Sequence, residues 1–209
     1  MALELRCLTV GPLETNCYLL WDRETYSAAV IDPGGDADRI IDEISNHGLR
    51  VERVLITHGH IDHCYSAADV AEQCGASVMM HSADVEMLQV SLEIAGQFYD
   101  MSDYRSVSPS EFVSEGDVIL IGQHEVKVIH TPGHSPGSVS YVAAVGIFCG
   151  DAVFASSIGR TDFPGGSHEL LIRSIKSKIL SFPDDTVLYP GHGPSTTVGR
   201  ERRSNPYLH

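Results

Sequence analysis

Apolar and polar residues alternate over Leu3–Arg6, and short β-rich runs occupy Leu3–Val10, Asn16–Trp21 and Ala28–Ile31. Gly11-Pro12 and the polar stretch Asp22–Tyr26 separate these runs, and Asp32-Pro33-Gly34-Gly35 reads as a turn. Over Asp36–His47 the period changes: Ile40, Ile41 and Ile44 fall at helical spacing, and Gly48 stands where a helix would stop. Val51–Thr57 predicts a strand running into a histidine-rich loop, Ser66–Cys74 a helix closed by Gly75, and Ser77–His81 another strand. Ser82 is the expected cap of a helix over Ala83–Gln89, and Ser91–Glu111 is expected to be a partly helical loop over one face. Strands follow at Asp117–Ile121, Glu125–His130, Ser138–Val145 and Ile147–Cys149. After a long loop, Ser167 caps a helix through Leu180 with an apolar stripe of Leu171, Ile172, Ile175 and Ile179, and Thr186–Tyr189 is the last strand. Strands followed by a helix, twice over, point to an α/β fold of two sheets packed face to face with helices outside. With no internal repeat and no Pro-, Gly- or Ser-rich linker, a single domain over residues 1–209 is expected.

Composition narrows the class. Hydrophobic residues are 43% and charged residues 20% of the 209, which is a globular balance. Fourteen Lys and Arg against 28 Asp and Glu leave a formal charge of −14, which repels phosphate backbones and anionic lipid. No nucleic-acid or membrane partner is therefore expected, and no apolar run reaches the roughly 18–20 residues of a membrane span. The N-terminus lacks the charged-then-apolar layout of a signal peptide. Five cysteines at scattered spacing contain no C-x-x-C pair, which argues against a disulfide framework or a cysteine zinc knuckle, and the cytoplasm is the expected compartment. Eleven histidines against one tryptophan point toward metal.

The strongest chemical signal is Thr57-His58-Gly59-His60-Ile61-Asp62-His63, directly after the apolar run Val54-Leu55-Ile56. An H-x-H pair in extended chain turns both rings to one side, so His58 and His60 can share an ion, and the following turn can send Asp62 and His63 to a second site. Three other strand ends repeat the theme. Val126–Ile129 leads to His130-Thr131-Pro132-Gly133-His134, Ile147–Gly150 to Asp151, and Val187–Gly191 to His192. Convergence of these ends at one edge would gather His58, His60, Asp62, His63, His134, Asp151 and His192, a donor set for two ions with Asp151 offering an oxygen to each. His47, His81, His124 and His209 fit no ligand spacing. His130 is read as facing the sheet or supporting the loop, His168 as starting a helix, and Cys149 as a small buried thiol.

H-x-H-x-D-H, a lone histidine in T-P-G-H, then G-D and G-H-G resemble the metallo-β-lactamase fold superfamily over essentially the whole chain. The resemblance implies a four-layered αββα sandwich. It further implies that His58, His60 and His134 hold one metal, that Asp62, His63 and His192 hold the other, and that Asp151 and a hydroxide bridge them. Asp32 in Ile31-Asp32-Pro33-Gly34 matches the motif whose carboxylate braces the metal loop from beneath. Ser157–Gly166 (S-I-G-R-T-D-F-P-G-G) and the ending Glu201-Arg202-Arg203-Ser204-Asn205-Pro206 look most like short glyoxalase II-like hydrolases, which cleave S-acylglutathione thioesters. The chain stops at His209, soon after the last ligand, so the C-terminal helical domain of true glyoxalase II is expected to be absent.

Two divalent ions, zinc before iron or manganese, would lower the pKa of a bridging water and supply the hydroxide that attacks the thioester carbonyl. Asp62 and Asp151 are the expected catalytic carboxylates, with Asp62 also orienting the nucleophile. A thiolate leaves without a general acid because its conjugate acid has a pKa near about 8.5. The substrate is expected to be a small thioester such as S-lactoylglutathione, with Arg160 and Arg202 as candidate anchors, the latter in the basic cluster Arg200, Arg202 and Arg203; Phe98 and Tyr99 are candidate pocket walls, and Tyr141 is assigned to the core. The principal alternative is a persulfide dioxygenase of the same fold, using one iron on His58, His134 and Asp151. A secreted β-lactamase would want an export signal, a ribonuclease a basic surface, and a structural zinc scaffold a closed four-coordinate site.

Overall fold

The structure is a computed structural model that describes residues 2–209; Met1 lies outside the described residues. Strands β1 (Leu3–Val10), β2 (Thr15–Asp22) and β3 (Ser27–Ile31) form an antiparallel meander. Helix α1 (Ala37–Asn46) then crosses to β4 (Arg50–Leu55), which pairs parallel to β3. Past α2 (Ile61–Cys64) and α3 (Ala67–Cys74), β5 (Ser77–Met80) adds in parallel; past α4 (Val85–Ala95), β6 (Glu111–Phe112) does the same. The second sheet begins as an antiparallel meander of β7 (Val118–Ile121), β8 (His124–His130), β9 (Val139–Ala143) and β10 (Gly146–Gly150). A short ribbon of β11 (Val153–Phe154) and β12 (Ser157–Ile158) and helix α5 (His168–Ser177) follow. Next, β13 (Val187–Pro190) returns parallel to β10, and β14 (Thr196–Thr197) and α6 (Val198–Ser204) close the chain. The sheet orders among the described residues are β1-β2-β3-β4-β5-β6 and β14-β13-β10-β9-β8-β7.

The period of two in the strands decides the layers. In β2, Cys17, Leu19 and Trp21 face a core shared with α1 and α3, whereas Tyr18 and Leu20 face the space between the sheets. In β10, Phe148 points into that same intersheet core and Ile147 and Cys149 point outward to α5. Three apolar cores between four layers result, a mixed α/β sandwich with helices on both outer faces.

Most predicted elements are present with ends moved by one or two residues. Ser167 caps α5 as expected, its Oγ accepting from the Leu170 amide at 3.4 Å. Ser82 does not cap α4. The chain makes a 3₁₀ turn over Ser82–Asp84, His81 Nδ1 accepts the Ala83 amide at 3.2 Å, and α4 starts later and runs on to Ala95. The segment expected to be a partly helical loop is therefore helical over its first five residues, Ser91–Ala95, and the helix stops at Gly96. Among the described residues, no helix is long and apolar enough to cross a membrane.

Hydrogen bonds staple the two sheets together at one edge. Tyr18 Oη of the first sheet donates to the Pro190 carbonyl at 2.7 Å, and Asn16 Nδ2 donates to the Pro190 and Gly193 carbonyls at 3.1 and 2.8 Å. In the other direction, Tyr141 Oη of the second sheet donates to the Ile56 carbonyl at 2.9 Å, and the Val139 amide donates to the Thr57 carbonyl at 2.8 Å. Tyr141 is fully buried, so Tyr141→Phe strands a buried carbonyl while keeping the ring's packing. Urea unfolding should show a loss of about 1–3 kcal/mol, whereas an unchanged midpoint would mean the staple carries no stability.

Candidate metal centre

Parallel strands bring their carboxyl ends to one edge, and this edge carries the ligand-type residues. Strand β3 delivers Asp32, its neighbour β4 delivers His58, and β10 and β13 deliver Asp151 and His192. Strand β8 runs antiparallel to β9, hence in the same direction as β10, and its far loop delivers His134. The staples of Asn16 and Tyr18 hold the His192 loop, and those of Val139 and Tyr141 hold the chain leading to His58. The structure thus brings seven of the residues named above to one place. Three groups of ligand atoms lie within 4.8 Å of one another: His58 with His60 and His134, His58 with His63 and Asp151, and Asp62 with His63 and His192.

In the first group the ring nitrogens are crowded. His134 Nε2 lies 3.2 Å from His58 Nε2 and 2.9 Å from His60 Nδ1, and His58 Nε2 lies 3.1 Å from His60 Nδ1. Their outer partners assign the tautomers. His134 Nδ1 donates to the Arg160 carbonyl at 2.7 Å, which leaves a lone pair on Nε2. His58 Nδ1 donates to Thr57 Oγ1 at 3.0 Å, and that hydroxyl donates in turn to Asp32 Oδ2 at 2.7 Å, so His58 Nε2 also carries a lone pair. Two lone pairs facing each other at 3.2 Å repel unless a cation lies between them. Burial and the neighbouring His63, His134 and His60 rings hold His58 well below the ordinary histidine pKa, and burial and His134 bring His60 down to about 3. Both rings are kept neutral, the form that ligates metal.

The second group is rich in carboxylate. His63 Nδ1 donates to Asp32 Oδ2 at 2.9 Å, which points the Nε2 lone pair at Asp151 Oδ1, 3.4 Å away. Both of those facing atoms are buried and have no hydrogen-bond partner. Burial opposes a charge on His63, but Asp151, Asp62 and Asp32 outweigh it and hold its pKa well above the ordinary value, so without a metal a proton takes the place on Nε2 that a cation would hold. Burial likewise works to raise the Asp151 and Asp62 carboxyls, yet His63 and its neighbours pull both below the usual carboxylate range. The field here calls for positive charge, and an orphaned imidazole nitrogen beside an orphaned carboxylate oxygen supplies the donors for it. His192 Nε2 sits 3.2 Å from Asp62 Oδ2, and Asp151 Oδ2 lies 3.8 Å from His192 Nε2 and 3.7 Å from His134 Nε2, between the two groups. Divalent metal fits this donor set. Gly191 is needed beside it, because a Cβ there would come within 2.3 Å of Asp151 Oδ1 and 2.4 Å of His63 Cε1.

Asp32 lies beneath both groups in left-handed backbone, φ 52°, with Oδ1 accepting the Thr57 amide at 2.8 Å. Sequence reasoning missed a second buried carboxylate, Asp84 at the mouth of α4. It accepts from the Gly59 amide at 2.8 Å and from Ser135 Oγ at 2.6 Å, fastening the His58–His60 loop to the His134 loop. No motif marks it, since a lone acid in a helix-forming stretch reads as surface. His130 donates from Nε2 to the Pro136 carbonyl at 2.9 Å and stacks on His81 at 4.4 Å, so it supports the His134 loop.

A groove of about 920 Å³ opens over the cluster. Phe98 and Tyr99 line it, together with Leu13, Ile94, Phe154 and Phe163, and Arg160 is its one cationic side chain among the described residues. Arg160 grips Asp162 through Nε and Nη2 at 2.7 and 2.6 Å and lies 3.9 Å over the Phe163 ring. Arg202 is not brought to the groove. Its guanidinium donates to Asp184 and to the Leu180 and Phe182 carbonyls, binding α6 to the preceding turn.

In Asp32→Asn, an amide N–H would meet the donors of Thr57 and His63. Metal affinity, measured by chelator competition, should fall about 10–100-fold with the circular-dichroism spectrum unchanged. Unaltered affinity would remove Asp32 from any bracing role.

The profile of the Metallo-beta-lactamase superfamily matches residues 10–192. Hydroxyacylglutathione hydrolase GloC of Haemophilus influenzae is 36% identical over 209 residues, covering 99% of this chain and 98% of that protein. Among solved structures, the BLEG-1 B3 metallo-beta-lactamase superposes with a TM-score of 0.90 at 36% identity, covering 98% of this chain and 99% of the other. TTHA1623 in a di-iron-bound form superposes at 0.85 with 34% identity, covering 97% of this chain and 100% of the other.

Proposed function

The chain belongs to the metallo-beta-lactamase superfamily, and from that premise we propose that it is a binuclear metal-dependent hydrolase of thioesters, with S-lactoylglutathione and other S-acylglutathiones as its substrate class. The observation that carries this reading is the Asp151 carboxylate, with Oδ2 within 3.8 Å of ligand nitrogens in both groups and an unpartnered Oδ1. His58, His60 and His134 would hold one ion, Asp62, His63 and His192 the other, and Asp151 would touch both. Zinc suits imidazole and carboxylate donors, as do iron and manganese. Bound there, the ions lower the pKa of water and polarise a carbonyl oxygen.

This chain's residues supply the rest. Asp62, kept below its ordinary pKa, is available as an acceptor for a hydrogen bond from the attacking water. The apolar groove wall keeps bulk water from the acyl carbon. Apart from the ligand-type residues and Arg160, Tyr99 is the one titratable side chain lining the groove among the described residues. That suits a leaving group that departs as an anion: a thiolate does so near neutral pH, whereas an amine needs a proton. The products are a carboxylate and a thiol. Haemophilus GloC, named for hydroxyacylglutathione hydrolysis, supports the choice. A cytoplasmic location accords with five free cysteines.

Protein expressed with zinc, iron and manganese available should carry about two ions per chain and hydrolyse S-lactoylglutathione. His58→Ala and Asp151→Ala should each lower bound metal and reduce kcat/KM more than about 100-fold. About one iron per chain, held with two histidines and a carboxylate and accompanied by oxygen uptake, would instead identify a dioxygenase. His58, His134 and Asp151 would be its ligands, His134 Nε2 lying 3.2 Å from His58 Nε2 and 3.7 Å from Asp151 Oδ2. Arg160→Ala should raise KM for anionic thioesters roughly fivefold more than for neutral ones; equal changes would dismiss Arg160 as an anchor.

A further inference from the structure

A second cavity of about 320 Å³ lies beside the groove and shares Leu13, Ile61, Asp62, Ala95 and Tyr99 with it. The β1–β2 turn forms one side, the Gly34–Gly35 turn after β3 another, and Tyr65 and Met101 stand opposite. Its walls are largely apolar. Leu13 and Tyr99, 47% and 44% exposed, stand on the rim that the cavity shares with the groove. Thr15 also lines the cavity. Its side chain is buried, and Oγ1 has no hydrogen-bond partner in the fold. The Thr15 backbone bridges to His192, which ties this wall of the cavity to the His192 loop.

Resting on the hydrolase reading above, we propose that this cavity is the acyl subsite, and that the substrate's acyl group is an apolar chain or ring of roughly six to ten non-hydrogen atoms. The size follows from volume: the space holds about ten atoms the size of water, and a lactoyl group fills about half of it. Asp62 belongs to both cavities, so a carbonyl positioned at the metal cluster sends its acyl substituent past Leu13 toward Tyr65 and Met101. The thiol portion stays in the larger groove with Arg160 and Phe163.

The test begins with binding of thioethers that cannot be hydrolysed. By calorimetry on the metal-loaded chain, S-hexylglutathione should bind at least about tenfold tighter than S-methylglutathione, since each methylene buried is worth up to about fourfold. Met101→Trp, which fills the cavity, should narrow that ratio to near unity. Equal binding of the two thioethers by wild type, or an unchanged ratio in Met101→Trp, overturns the subsite. Hydrolysis separates the subsite from the reading beneath it. Cleavage of S-hexanoyl- and S-acetylglutathione with no preference between them sinks the subsite alone. A binding preference with neither ester cleaved sinks the thioesterase.

Discussion

One carboxylate holds both halves of the metal cluster in place. Asp32 accepts the Thr57 amide on one oxygen, and on the other it accepts the Thr57 hydroxyl and the His63 ring. Through Thr57 it also sets the tautomer of His58, so the lone pairs of two rings in two ligand groups are aimed from one point. Asp32 occupies left-handed backbone at the end of β3, a conformation a non-glycine residue adopts at a cost. Three charge-assisted or buried hydrogen bonds on one side chain offset that cost.

The sandwich provides what Asp32 cannot. Parallel pairing of β3 with β4 and of β10 with β13 sends four strands toward the same edge, and the Tyr18, Asn16 and Tyr141 bonds fix one sheet's edge against the other's. Asp84 adds a cross-brace between the two loops that bear the first group of histidines. Farther out, Glu201 is fully buried, accepts the Ser156 amide at 2.9 Å and is bound by Thr196 and Asn205, tying α6 to the loop after Asp151. Buried carboxylates are expensive unless every oxygen is used, and these are used. The metal cluster is the place where that rule breaks, with Asp151 Oδ1 and His63 Nε2 both unpaired. Unpaired donors of complementary kind in one small volume are how a fold reserves space for a cation.

The acidic surface and the apolar site walls divide the work. The charge of −14 sets what the molecule repels, while one partly neutralised arginine and a run of aromatic and aliphatic side chains line the reaction groove. For the hydrolase proposed above, substrate discrimination would rest on shape and desolvation more than on charge, and the cavity bounded by Leu13, Tyr65 and Met101 offers the room for it.

The residues of the candidate metal centre were legible in the sequence because four of them occupy one short motif after Val54–Ile56 and the other three follow β-rich runs, each beside a glycine. Strand and helix were legible too, since β-rich runs such as Asn16–Trp21 stand against a period near 3.6 in α1 and α5, although nothing in the all-apolar Cys17–Trp21 told which face meets which core. Tertiary structure alone decided the rest. Asp84 and Glu201 look like surface acids until the chain folds over them, because nothing local separates a buried carboxylate from an exposed one. Arg202 looks like a free cation until Asp184 and two carbonyls claim it. The Arg160 carbonyl orients His134, a role no side-chain pattern encodes. The second cavity exists only because the Leu13 turn, the Gly34–Gly35 turn and the end of α4, distant in sequence, meet around Thr15. Sequence determines which groups are available and their local period; the packing of distant segments determines which are desolvated, and desolvation is what makes a polar group a brace, an anchor or a site.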